Sequence, residues 1–165
     1  MNQIVKIAGF EVPTGDIHDF DFLLGNWSVD NWRLKRRWVG SEDWEAFSGI
    51  SRCEPRLGYA ANVEEVSFPS RGSSGLSLRL FDRAAMRWSI YWVSSDGATL
   101  FPPVHGGFAG DFGLFFGEDT DGGKPIKVKF LWEKQGPIHA RWSQAFSRDG
   151  LAWETNWVME FTRTA

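Results

Sequence analysis

The strongest constraint in this chain is a period-two alternation of apolar and polar residues, repeated in short runs between clusters of Gly, Asp, Ser and Pro. Side chains alternate faces only along extended backbone, so such runs form half-buried β-strands. The last hairpin shows it most clearly. Arg148-Asp149-Gly150-Leu151 is a tight-turn sequence. Trp142, Gln144 and Phe146 share a face before it, and Trp153, Thr155, Trp157, Met159 and Phe161 continue that face after it. Arg141, Ser143, Ala145, Glu154, Asn156, Val158 and Glu160 fall on the other face, which is expected to be wet. Trp88 and Trp92, like Trp153 and Trp157, are four apart, a spacing that would also suit a helix. The midway residues Ile90 and Thr155 are β-branched and turn residues bound both runs, which favours strands.

Further strands are expected near residues 26–37, 44–53, 61–68, 104–108 and 112–116. A hairpin over 75–94 should turn near Ala84-Ala85, and a strand over 126–132 should point Lys127 and Lys129 outward. With about eight to ten strands and no long helix, the chain reads as an antiparallel all-β barrel or sandwich. Its 165 residues suit a single domain over 1–165. Residues 19–24 read as a short N-terminal helical plug for one end. In the simplest register of the 75–94 hairpin, Ser77, Arg79 and Phe81 share a face with Trp88, Ile90 and Trp92.

Composition narrows the partners. Eighteen Lys and Arg against 21 Asp and Glu give a formal net charge of −3, so no basic surface for nucleic acid or an anionic membrane is expected. One cysteine, Cys53, leaves no internal disulfide and no thiolate cage for a metal. The N-terminal residues lack the basic start and apolar run of a secretory signal, and the expected setting is the cytoplasm. The aromatic content is unusual, with 14 Phe and 10 Trp but only 2 Tyr.

Gly25-Asn26-Trp27 at the head of the first long strand, together with Arg163 near the C-terminus, resembles the pattern of the calycins, the lipocalins and fatty-acid-binding proteins. There a tryptophan closes one barrel end beneath an arginine. Four strings carry a resemblance along nearly the whole chain: Phe20-Asp21-Phe22-Leu23-Leu24-Gly25-Asn26-Trp27, Leu78-Arg79-Leu80-Phe81-Asp82, Trp88-Ser89-Ile90-Tyr91-Trp92 and Trp153-Glu154-Thr155-Asn156-Trp157. They are similar to a family of mainly bacterial proteins known as a domain of unknown function and regarded as calycin-like. The resemblance implies a calycin-like barrel and brings no activity with it. The Thr-Asp-Tyr motif, disulfide pair and C-terminal helix of true lipocalins are missing from this sequence.

A barrel of this kind either fills itself with side chains or holds one small ligand. The candidate ligand-binding set is Asn62, Glu64, Arg79, Trp88, Trp92, His105, Trp132, Trp142, Gln144 and Trp157. An inward Arg79 needs a countercharge, from Glu64, another acid or an anionic ligand, because burying a guanidinium alone is costly. Glu64, Arg79 and His105 are also the candidate acid–base groups. His18, His105 and His139 lack zinc-ligand spacing, and His105 among prolines and glycines reads as a rim residue rather than a haem ligand. Neither a nucleophile elbow nor a phosphate-binding glycine loop occurs, and no metal or cofactor is expected. Glu118 to Gly123 resembles half a calcium loop but reads better as a hairpin turn. The leading expectation is binding of a small, largely apolar molecule, neutral or acidic, in an aromatic-lined cavity. A cofactor-free isomerase, hydratase or decarboxylase and a carbohydrate-binding module are the alternatives. Leu76, Leu78 and Leu80 on an outer face would suit a homodimer.

Overall fold

A computed structural model describes residues 2–165. Two short strands, β1 (Ile4–Ile7) and β2 (Phe10–Pro13), form a separate hairpin. Ten longer strands follow: β3 (Gly25–Leu34), β4 (Trp44–Arg56), β5 (Ala61–Phe68), β6 (Ser73–Asp82), β7 (Arg87–Ser94), β8 (Val104–Ala109), β9 (Phe112–Asp121), β10 (Lys124–Lys134), β11 (His139–Ser147) and β12 (Glu154–Arg163). They close into an antiparallel barrel in which each strand pairs with its chain neighbours and β12 pairs with β3. Closure leaves no unpaired edge among these ten strands. No helix among the described residues is long and apolar enough to cross a membrane.

The alternation read from the sequence sets the inner wall. Trp27, Val29 and Asn31 are buried on β3 while Asn26, Ser28 and Asp30 are exposed. On β6 and β7, Ser77 pairs with Trp92, Arg79 with Ile90 and Phe81 with Trp88, the register expected for that hairpin. Gly122 and Gly123, at φ 58° and 78°, make the tight turn between β9 and β10. That is the hairpin reading of the acidic segment, with left-handed backbone that glycine adopts freely.

Three expectations need correction. The helical plug is not formed: residues 19–24 hold only a three-residue 3-10 turn, Asp21–Leu23, and no α-helix occurs among the described residues. The sequence reading also placed Trp153 and Thr155 on the inner face. A β-bulge between Gln144 and Ala145 sets Asn156 and Trp157 together against Gln144 and pairs Ala145 with Thr155. One extra residue reverses the phase of everything before it, so Thr155 is exposed and Asn156 is buried. Trp153 packs instead against Phe10 and Phe116, at ring distances of 5.3 and 5.8 Å. There it belongs to a second small core under the β1–β2 hairpin, whose two strands are not among those expected from the sequence.

One barrel end is closed. Trp27 is 1 % exposed and donates its indole N–H to the Leu23 carbonyl at 2.8 Å. The Arg163 guanidinium covers its ring at 4.2 Å and donates to the carbonyls of Phe22 and Leu24 at 2.5 and 2.7 Å. Gly25 runs at φ 117°, and a Cβ there would stand 2.7 Å from the Arg163 Nη1. Glycine thus serves both the backbone angle and the close approach. Above this seal Phe20 packs edge-on against Trp88, Phe108 and Trp132.

Candidate functional site

The barrel interior carries a buried polar network one layer above the closed end. Arg79 and Glu64, 2 % and 4 % exposed, form an ion pair through Nη2 and Oε1. Their strands are paired so that Asn62 faces Arg79 and Glu64 faces Ser77, and the two charges meet on the diagonal. Asn62 Oδ1 accepts from Arg79 Nη1 at 2.9 Å, and Ser51 Oγ donates to Glu64 Oε2 at 2.5 Å. The guanidinium also stacks on Phe20 and Trp132 at 5.0 and 5.6 Å. Arg79 does turn inward, and Glu64 supplies its countercharge. Cys53 lies 3.9 Å from Arg79 Nη1, yet burial pushes its thiol up to about 12. It is a neutral filler of the network rather than a nucleophile.

Above the network lies an inner chamber of about 50 Å³. Glu64, Ser77 and Arg79 contribute its polar wall, and Trp92, Phe130, Trp132, Trp142 and Trp157 contribute aromatic ones. The rings meet edge to face: Phe130 with Trp142 at 78°, Trp142 with Trp157 at 82°, and Trp92 with Trp157 at 87°. Close passage of the Trp92 indole over Gly75 fixes its position, because a Cβ on Gly75 would lie 1.8 Å from Trp92 Cη2. The inner chamber shares Ile90, Trp92, Phe130, Gln144 and Trp157 with an outer chamber of about 230 Å³. Arg33, Arg37, Phe101, Asp121 and Asn156 line the outer space towards the open end.

Seven of the ten ligand-binding candidates line the inner chamber: Glu64, Arg79, Trp92, Trp132, Trp142, Gln144 and Trp157. Asn62 supports it from behind through Arg79. Trp88 does not reach it; its indole N–H donates to the Asp16 carbonyl at 2.8 Å, and its ring packs on Phe20 and Phe81. His105 also lies away from both chambers, on the outer side of β8. Its Nδ1 meets Ser89 Oγ at 2.7 Å, in register with that residue, while burial and nearby Arg87 hold its pKa below the ordinary value. It therefore cannot act on the same bound molecule as Glu64.

The sequence reading missed Ser51, Asn31, Asn156 and Arg33. Ser51 and Cys53 follow Phe47 and Gly49 at every second position of β4, and Asn31 and Arg33 follow Trp27 and Val29 on β3. That alternation was the available signal. Asn156 had none, since only the bulge turns it inward. The Trp157 indole donates to Asn31 Oδ1 at 3.0 Å, and Gln144 Nε2 to Asn156 Oδ1 at 2.7 Å.

No family model and no curated protein match the chain. Among solved structures it is similar to a redesigned β-barrel, at TM-score 0.51 and 13% identity over 92% of this chain and 99% of that one. The likeness shows the fold, a closed β-barrel.

Proposed function

We propose that this barrel binds one small, largely apolar molecule inside its wall, admitted at the end opposite Trp27 and Arg163. The observation that carries the reading is the pair of connected chambers, walled by indole and phenyl rings set edge to face. A barrel stabilised only by its own side chains would close that space, since interiors pack to near-crystalline density. No tryptophan among the described residues is fully exposed, which favours an internal pocket over a flat sugar-stacking surface. With Trp27 sealed beneath Arg163 the closed end has the arrangement that the calycin resemblance implies, and a calycin-like carrier is the family reading we favour. A reducing compartment such as the cytoplasm suits its single buried thiol.

Binding is favoured over acid–base catalysis by the state of Glu64. Ser51 and Arg79 hold its two oxygens, so the carboxylate already serves as the countercharge of Arg79. Calorimetric titration with 2-naphthylmethanol tests the pocket. One saturable site is expected in the native protein, lost in Gln144→Trp, which adds bulk where the two chambers join. Unchanged binding in that variant, or none in the native protein, would overturn the reading.

A further inference from the structure

The open end carries a cation without a partner. Arg37 pairs with Asp121 at 2.6 Å and Arg71 with Glu45 at 2.7 Å, but among the described residues Arg33 forms no ion pair within 4.0 Å. Its guanidinium lies 4.7 Å over the Trp157 ring, half-buried on the wall of the outer chamber. Burial and the neighbouring Arg71 and Arg37 disfavour its charge, ahead of the support from Glu45 and Asp96. A second unmet donor stands in the same wall. Asn156 is 3 % exposed, and its Nδ2 has no hydrogen-bond partner. Turning both amides of the Gln144–Asn156 pair over would only exchange which one offers its N–H. The carboxylates of that wall are engaged: Asp121 accepts from Arg37 and the Trp38 indole, and Asp119 from the Thr120 N–H at 2.7 Å. The deep ion pair offers no comparable site, because Glu64 already neutralises Arg79.

The geometry points to a compact, ring-bearing organic anion as the ligand, its carboxylate held by Arg33 and the Asn156 amide and its ring lying inward against Trp157, Trp92 and Phe130. This deepens the pocket reading and rests on it. A guanidinium and an amide N–H are a donor-only pair, matched by an acceptor-only group. The body is compact because the inner chamber of about 50 Å³ ends on the Glu64–Arg79 layer, leaving no tunnel for a long chain. Trp157 joins the two halves, with its ring under Arg33 on one side and against Trp142 on the other.

The test compares 2-naphthoate with 2-naphthylmethanol by calorimetry, in the native protein and in Arg33→Met, with near-ultraviolet circular dichroism to check that the variant folds. The anion is expected to bind about tenfold more tightly or better, the size of a charge-assisted hydrogen bond in a partly dry site. Arg33→Met should erase that advantage, so that anion and alcohol bind the variant equally, and Asn156→Leu should reduce it in part. Equal binding of the two probes by the native protein, or an advantage that survives Arg33→Met, would overturn the anion site and leave the pocket standing. Failure of both probes to bind would overturn the pocket and the anion site together. Dodecanoate binding more tightly than naphthoate would refute the compact body.

Discussion

Glu64→Gln removes one charge from a pair that is almost wholly inside the barrel, and its consequence follows from the geometry. The carboxamide keeps the shape and an oxygen for Ser51, but Arg79 loses its countercharge in a site where it is 2 % exposed. Asn62 and the rings of Phe20 and Trp132 remain around the guanidinium, and none carries a negative charge. Breaking a buried pair from one side costs about 3–5 kcal/mol. For a domain of this size that lowers the melting temperature by about 6–20 °C. Removing both charges costs less: Glu64→Gln with Arg79→Met leaves no stranded ion, and the double variant is expected within about 2 kcal/mol of the native protein. Urea unfolding at neutral pH, followed by tryptophan emission, measures all three variants and closes the cycle. The reasoning is refuted if Glu64→Gln alone costs less than about 1 kcal/mol, or if the two single costs simply add.

Trp27→Ala should cost about 3–5 kcal/mol in the same urea assay, as emptying a fully buried aromatic site does, and it also strips Arg163 of the ring it covers. Gly75→Ala should cost about 1–3 kcal/mol by overpacking, and because it drives Trp92 from its place, the near-ultraviolet dichroism of the indoles should change as well. Cys53 should resist thiol reagents at pH 8 until the protein unfolds, since its native thiol is held at about 12 against an ordinary value of 9.0. That shift raises the folded-state value, so its contribution to stability is complete below about pH 9 and fades as the pH rises towards 12; unfolding free energy that did not fall across that interval would contradict it.

The pairing of Ser77, Arg79 and Phe81 with Trp92, Ile90 and Trp88 was legible, and the observed register keeps it; which face turned inward was not, because Leu76, Leu78 and Leu80 make the opposite face apolar too. The need for a countercharge was legible too, because the cost of a bare guanidinium is independent of fold. The Trp27–Arg163 closure could be anticipated only through a motif, since no local pattern joins residues 136 positions apart. The β1–β2 hairpin was written in the chain: Val5 and Ile7 precede an Ala8-Gly9 turn at φ 53° and 90°, and Phe10 and Val12 follow it. Its four-residue strands are too short to stand out from an ordinary terminus.

The mouth was the least legible part, for a structural reason. A strict period of two predicts an inner face only while the ladder is regular, and at the open end it is not. The bulge opposite Gln144 places Asn156 beside Trp157 on the inner wall, so a residue assigned to solvent by its parity becomes a buried donor. The same extra residue turns Trp153 outward onto Phe116, which anchors the N-terminal hairpin by its Phe10 ring, stacked 4.4 Å from Phe116. One irregularity therefore provides both the unmet amide in the outer chamber and the aromatic seat that holds the hairpin. Deleting Asn156 removes the bulge and its unmet amide but sets Thr155 directly before Trp157, so regular alternation still turns Trp153 outward and β1–β2 should stay seated on the barrel. Hydrogen exchange of the amides of Val5 to Val12 checks this: protection equal to the native protein's is expected, and its loss would show that the hairpin depends on the bulge itself rather than on the parity of Trp153.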